Sequence, residues 1–446
     1  MRVKMTFAVL ALAALALTVP VSAAATVVHV DPGKSIQDAV DHAKPGTTIK
    51  LGEGVYKESV SISKDDISIE GAGRKKTEIQ VPAAQDLPAG AGCVDEGPGG
   101  QKVVSGICVF PPGPPAEGTR CENSPPSPGV SNEKTVSATN EVEVSKLSVT
   151  GFTGIGVIYV CADDPEVTRV YAKGGEDAEY GIAAFASEDV VFKRNLTVDG
   201  GEAGIYIGDS PHADATVWKN VSWDNGFGLF LRDAAHGKVQ DNKTFGNCLG
   251  ILFLNTNEAS APPEAHVPVI DLRDWLASDN SATANNRACP GGDEGGPISG
   301  IGIAVSSGID VRVIDNDVFG NNSTADSQGH AGIAVLGEEG LTARDVKVAF
   351  NTAFGNTVDI FWDEQGTNNR FFQNDCLTSQ PDGLCDDPDD NGDHGDHGDD
   401  GHQGDDHPSG DDHHKGDDHH KGDHKKHKSK KHHKKHKKHK SKHGDD

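Results

Sequence analysis

Residues 216–231 read TVWKNVSWDNGFGLFL, residues 238–253 read KVQDNKTFGNCLGILF, and residues 346–362 read VKVAFNTAFGNTVDIFW. The three stretches share a spacing more than a sequence. Aligned on one asparagine, they extend to a series of seven: Asn195, Asn220, Asn242, Asn280, Asn316, Asn351 and Asn374. Three residues before the asparagine stand Phe192, Val217, Val239, Val313, Val348 and Phe371. Three after it stand Val198, Trp223, Phe245, Phe319 and Phe354, and five after it a second file, Asn225, Asn247, Asn285, Asn321 and Asn356. A glycine then opens a short apolar strand, as in Gly204-Ile205, Gly228-Leu229 and Gly250-Ile251.

Uninterrupted copies are 22 to 25 residues apart, and copies carrying an added loop 35 to 38. A repeat of that length specifies a solenoid. Within each copy the apolar residues alternate over a few positions and are broken by Asn and Gly, and no helix-period run separates them, so the coils are all-β. Stacked coils pair strand on strand at ~4.8 Å, turning each column into a continuous stack. The asparagines belong at turns, where the side-chain amide can bond backbone or the next asparagine. The trailing aromatics, Trp223, Phe245, Phe319 and Phe354, are expected inside the tube, so Phe245→Ala should cost about 3–5 kcal/mol.

This pattern resembles the right-handed parallel β-helix repeats of the pectin-lyase-like superfamily over most of residues 26–385. The resemblance implies an all-β, single-stranded right-handed parallel solenoid. It also fits residues 34–71, KSIQDAVDHAKPGTTIKLGEGVYKESVSISKDDISIEG, as a short helix over 35–43 covering the open end, followed by a first coil. Unpaired strand edges at that end need such a cap. Between about 83 and 133 the repeat fails, and the Gly/Pro runs GPGG, PPGPP and SPPSPG mark a surface excursion. A second insertion follows Asn255.

Arg2 and Lys4, the apolar run 7–19 and the small residues Val21-Ser22-Ala23 read as a secretory signal over 1–25. The protein is then expected outside the cell, with no membrane span, as a monomer. Eight cysteines in an oxidising compartment read as disulfides. Cys248 with Cys289 would staple neighbouring coils, and Cys376 with Cys385 would close the last turn. Cys93 with Cys108 and Cys121 with Cys161 is the expected pairing in the excursion, although spacing leaves the connectivity of these four open.

The formal net charge is −27, of which the coils carry about −25. So acidic a body offers no Lys/Arg stripe to displace counterions, which argues against nucleic acid, and it disfavours polyuronate substrates unless a bound cation bridges the two anions. The superfamily's enzymatic branches imply recognisable motifs. The polygalacturonase set has only a distant counterpart at Gly329-His330-Ala331, and the pectinesterase and lyase sets cannot be placed. Fold resemblance therefore assigns no activity.

One ledge recurs between coils. After GIYI comes Gly208-Asp209-Ser210-Pro211-His212, and after GLFL comes Arg232-Asp233-Ala234-Ala235-His236. Stacking would set Asp209 and Asp233 one rung apart beside Arg232, and paired carboxylates can split into acid and base or nucleophile. His212 and His236 at matching offsets would add ligation, substrate contact or proton transfer. The competing expectation, and the first, is ordinary turn chemistry. Trp218, at an outward offset, is the candidate sugar-stacking residue. The sequons at Asn195, Asn220 and Asn242 fall on the ladder itself, where a glycan would disrupt a packed turn, and a fourth lies at Asn322.

From Asp386 onward apolar residues all but vanish, and the composition predicts a disordered tail over 386–446. Its first block, 386–423, holds 15 Asp against 2 Lys, and its second, 424–443, holds 11 Lys and 7 His. His413, His414, His419 and His420 beside carboxylates suit Zn, Ni or Cu. Asp387, Asp389, Asn391 and Gly392 copy the opening of a calcium loop, with Gly398 where its closing Glu belongs. The expected function is binding of a polysaccharide or cell-wall polymer, with the tail as a metal- or polyanion-binding anchor. The alternatives are a polysaccharide lyase or glycoside hydrolase using Asp209 and Asp233, and a metal-sequestering protein.

Overall fold

Each coil turns by placing single residues in the left-handed backbone region between short extended runs. The computed structural model describes residues 26–87, 93–97, 100–112, 119–126, 134–175, 178–256, 270–290, 296–324, 326–338 and 340–386. The signal read over 1–25 lies outside them, as do the four tail histidines and the calcium-like fragment from Asp387 on.

Three parallel faces run along the solenoid. One is an eleven-stranded sheet that includes Leu196–Val198, Val221–Trp223, Lys243–Phe245 and Asp317–Phe319 (face B). The other two form a single twenty-two-stranded sheet. They are joined through the long strand Phe227–Gln240, whose first half pairs with Ala203–Ser210 and Leu249–Leu254 (face C). Its second half pairs with Ala215–Trp218 and Arg273–Ser278 (face A). The helix Ile36–His42 is N-capped by Ser35, whose hydroxyl accepts from the Asp38 amide. Ile36 and Val40 are buried against the first coils.

Both asparagine files are ladders. The Asn195 amide N–H donates to Asn220 Oδ1 at 2.9 Å, and Asn220 Nδ2 donates to Asn242 Oδ1 at 3.0 Å and to the Phe192 carbonyl at 2.9 Å. The same bonds repeat to Asn374. The second file ends on Asp359, whose carboxylate accepts from Asn356 and from the Thr378 backbone and hydroxyl. The residue that bends the chain is the one before the asparagine: Arg194, Lys219, Asp241, Asp279 and Asp315 all have φ near 56–58°. Buried amide-to-amide bonding, more than a turn preference, explains the columns. The glycines opening face C also have a packing reason. A Cβ on Gly228 would stand 2.5 Å from the Gly250 carbonyl oxygen and 3.0 Å from Asn247 Nδ2.

The left-handed residue also corrects the aromatic columns. Phe192, Val217, Val239, Val313 and Val348 are fully buried as expected, while Phe371 is only partly buried. Beyond the turn the buried asparagine resets the alternation, so the second residue after it points inward. Thr197, Ser222, Thr244, Ala282, Val318 and Ala353 fill that position. Trp223, Phe319 and Phe354 are therefore only half-buried, and Phe245 is 42 % exposed. They stack on one another outside the tube, Trp223 on Phe245 at 5.9 Å and Phe319 on Phe354 at 6.3 Å. The largest fully buried side chain is Trp275, whose Nε1 donates to the Ala234 carbonyl at 2.8 Å.

The excursion is also less complete than its composition implies. Ile107–Val109 forms a buried rung of face C between Val60–Ile62 and Val157–Val160, and Val94–Glu96 pairs antiparallel with Lys102–Val104. Disulfides join Cys93 to Cys108, Cys121 to Cys161, Cys248 to Cys289 and Cys376 to Cys385. Four disulfides mark a protein of a non-cytoplasmic compartment. Among the described residues, no helix is long and apolar enough to cross a membrane.

Candidate functional site

Along face C, Ile205 and Ile207 point into the tube, leaving Tyr206 and Gly208 on the outer side. The outer side carries its own apolar layer, including Tyr180, Tyr206, Phe230 and Leu252, with Phe185 partly buried at its edge. Tyr206 lies 4.7 Å from Tyr180 and 4.8 Å from Phe185 between ring centroids. Phe185, Gly208 and Arg232 are successive residues of one column. Gly208 is a fitted notch: a Cβ there would sit 2.0 Å from the Tyr206 hydroxyl oxygen.

The next residue in each coil turns the corner. Gly208 pairs with Arg232 and Ser210 with Ala234, so Asp209 and Asp233 lie on adjacent rungs. Both are left-handed, with φ of 53° and 46°. The turn expectation and the stacking expectation thus describe the same pair. Their environments differ. Asp233 is buried, and its carboxylate accepts from the Thr256 amide at 2.8 Å and from the Thr256 hydroxyl, with Arg232 Nε 3.5 Å away. The Asp209 carboxylate is partly exposed and has no hydrogen-bond donor among the described residues. Burial first, and then the Asp233 charge, push its pKa up to about 6, with Arg232 opposing. Burial and the nearby Asp209 charge hold the Tyr206 phenol well above its usual range.

The histidines do not join this pair. Ser210 pairs with Ala234, but Ala215 pairs with Gly237, so the first coil has two extra residues in the corner. His212 falls in that excess, exposed, with Glu188 as its electrostatic neighbour. His236 is in register with Asp214, and its Nδ1 faces Asp274 Oδ2 at 3.5 Å. Equal offsets in sequence do not survive the bulge. Trp218 does face outward, but Arg194 and Lys219 lie over its ring at 5.0 and 4.2 Å, and its Nε1 donates to Asp241 at 2.8 Å. Its indole is therefore engaged and is not an open sugar platform. No group of three or more His, Cys, Asp or Glu suited to a metal ion occurs among the described residues. Asn195, Asn220 and Asn242 on the first ladder, and Asn321 on the second, which also heads a sequon (Asn321-Asn322-Ser323), are buried.

Phe185, Tyr206 and the Gly208 notch were absent from the sequence reading. Their signal was the second apolar parity of face C, in which FGLFL and GILFL are apolar at odd and even positions alike, as expected of a strand covered on both sides.

A family model described as right handed beta helix region matches residues 130–262. No curated protein matches the sequence. Among solved structures, a point mutant of the periplasmic alginate epimerase AlgG is 14 % identical with a TM-score of 0.45, covering 78 % of this chain and 84 % of that one. The A-module of the Azotobacter vinelandii mannuronan C-5 epimerase AlgE4 is 14 % identical with a TM-score of 0.38, over 77 % of this chain and 94 % of that one. The DFA-IIIase of Arthrobacter chlorophenolicus A6 is 14 % identical with a TM-score of 0.41, over 73 % and 83 %. With three parallel faces, two asparagine ladders and a matching family model over its central coils, the chain is a right-handed parallel β-helix protein.

Proposed function

We propose that this is an exported polysaccharide-binding β-helix whose ledge at Phe185, Tyr206, Asp209, Arg232 and Asp233 holds a sugar unit. The observation that carries the reading is the Asp209 carboxylate: partly buried, without a hydrogen-bond donor among the described residues, and beside both an aromatic edge and a guanidinium. A partly buried acceptor of this kind gains from donors that arrive with a ligand. Sugar hydroxyls supply them, while the apolar face of a pyranose suits Phe185. The Arg232 guanidinium stands beside the same position, and Asp233, fixed by Thr256, lies against it. Small-molecule sites commonly combine an aromatic wall with a few convergent polar groups in this way.

A second reading is favoured by the pKa of about 6 at Asp209. A carboxyl so poised beside a fixed carboxylate has the makings of a general acid and base. The ledge would then turn over a glycosidic bond by lyase or hydrolase chemistry. One experiment separates the readings: the full chain assayed against a polysaccharide panel, with and without calcium, for retention and for reducing-end or unsaturated product. Retention without product supports binding, and product abolished by Asp209→Asn supports the enzyme. Neither retention nor product refutes both.

A further inference from the structure

The corner between faces A and B carries a charge pattern that the linear sequence hides. Lys146, Arg169, Arg194 and Lys219 lie 23 to 25 residues apart, and the register brackets them as four successive rungs of one column. Each has its amide N–H donated to the carbonyl of the rung above, as in Arg169 to Lys193 at 3.1 Å and Arg194 to Trp218 at 2.9 Å. All four are left-handed, with φ of 56–58°. Long cationic side chains are not the residues such a conformation selects, since Asn, Asp and Gly adopt it with less strain. The next three rungs of the same column, Asp241, Asp279 and Asp315, follow that preference, while the last two, Phe350 and Gln373, do not.

Lys146 is neutralised by Glu70. Arg169, Arg194 and Lys219 are exposed, and none has a carboxylate within ion-pairing distance among the described residues. Asp241, one rung beyond Lys219, takes the Trp218 indole N–H instead. Arg74 reaches in from an earlier coil, donating to the Arg194 carbonyl at 3.3 Å, close enough to Arg169 for the two like charges to oppose each other. In coils with a net charge of about −25, this row of like charges is a local exception. Like charges on adjacent strands are destabilising, so the row is a cost to the free fold.

We infer that the Arg169–Arg194–Lys219 corner, with Arg74 beside it, is a docking rail for a linear anionic polysaccharide lying along the solenoid axis, a surface separate from the ledge on face C. The rung spacing of ~4.8 Å is close to the advance per sugar of an extended glycan chain, so carboxylates or sulfates borne on successive sugars meet successive cations. Single-stranded nucleic acid fits less well, with a phosphate about every 3.4 Å along a helical strand and no open aromatic face on the rail for its bases. Trp218, flanked by Arg194 and Lys219, holds both cations at the corner in place of a base.

The test uses the full chain and the triple variant Arg169→Asn, Arg194→Asn, Lys219→Asn. Asparagine suits the left-handed backbone, so the variant should fold, and at low salt its melting temperature should equal or exceed that of the parent. Titration with dextran sulfate, polygalacturonate, neutral dextran and a single-stranded oligonucleotide reads the partner. The expected result is binding of one or both anionic glycans that is weakened about tenfold or more in the variant, with a shallower dependence on salt. The two arms tell a sulfate from a carboxylate partner, and neutral dextran should not bind at the corner. Unchanged anionic-glycan affinity in the variant overturns the inference, because the cationic tail block is identical in both proteins. Tighter oligonucleotide binding that depends on the three cations overturns the choice of partner.

Discussion

Replacing Asn220 by alanine tests what holds the coils in register. The Asn195 N–H would lose the oxygen it donates to at 2.9 Å, the Phe192 carbonyl would lose a donor, and Asn242 Oδ1 would lose one of its two. All lie in the buried interior of the ladder. An orphaned buried N–H costs about 1–3 kcal/mol and each further lost hydrogen bond about 1. The expected destabilisation is therefore about 3–5 kcal/mol, large for a polar residue. Asn220→Asp sharpens the test. One carboxylate oxygen still accepts from Asn195, but the other faces the Phe192 carbonyl and Asn242 Oδ1 with no proton to offer. Burial and these acceptors raise the pKa of the introduced acid above its unfolded value. Its folded-state stability is then greatest below about pH 4 and falls as pH rises through the shifted pKa. Urea unfolding followed by tryptophan fluorescence at acidic and neutral pH reads both variants. A loss below about 1 kcal/mol for Asn220→Ala, or an Asn220→Asp variant indifferent to pH, would refute the ladder as a source of stability.

The corrected aromatic columns predict that Phe245→Ala costs about 1 kcal/mol or less, as for a half-exposed surface residue, while Trp275→Ala costs about 4–5 kcal/mol; denaturation midpoints decide, and equal costs would return Phe245 to the core. Asp209, with a folded pKa of about 6, contributes stability that is full below about pH 4 and lost as pH rises through 6. Asp209→Asn should therefore be more stable than the parent at neutral pH by about 2 kcal/mol and lose that part of the pH dependence; a variant less stable at pH 7 would contradict it. The tail is proposed to bind Zn, Ni or Cu through His413, His414, His419 and His420. Calorimetry on the full chain and on a chain ending at Cys385 should show affinity only in the former, weakening below about pH 6.5 as the imidazoles protonate. Equal affinity in both would place the metal in the coils.

The period of the asparagines made the solenoid legible, because a buried amide ladder leaves the same residue at the same place in every coil. The covered hydrophobes before the turn were legible for the same reason. The aromatics after it were misplaced because one left-handed residue, such as Lys219, interrupts the alternation that places Trp223. Asp209 and Asp233 could be paired from the sequence, since both follow the same face C strand without a bulge between them. His212 and His236 could not, since two extra residues intervene only in the first coil. The basic corner was invisible for the opposite reason: its members are 25 residues apart and only the register stacks them. Ile107–Val109 was hidden among the Gly/Pro runs that flank it.

The most direct test of the ledge is equilibrium binding of whichever polysaccharide the full chain retains, measured for the parent, for Asp209→Ala and for the triple corner variant. A sugar unit seated at Phe185, Asp209 and Arg232 predicts that Asp209→Ala weakens a neutral glycan about tenfold or more while the corner variant leaves that affinity unchanged. Neutral-glycan affinity that survives Asp209→Ala would contradict the assignment of the ledge.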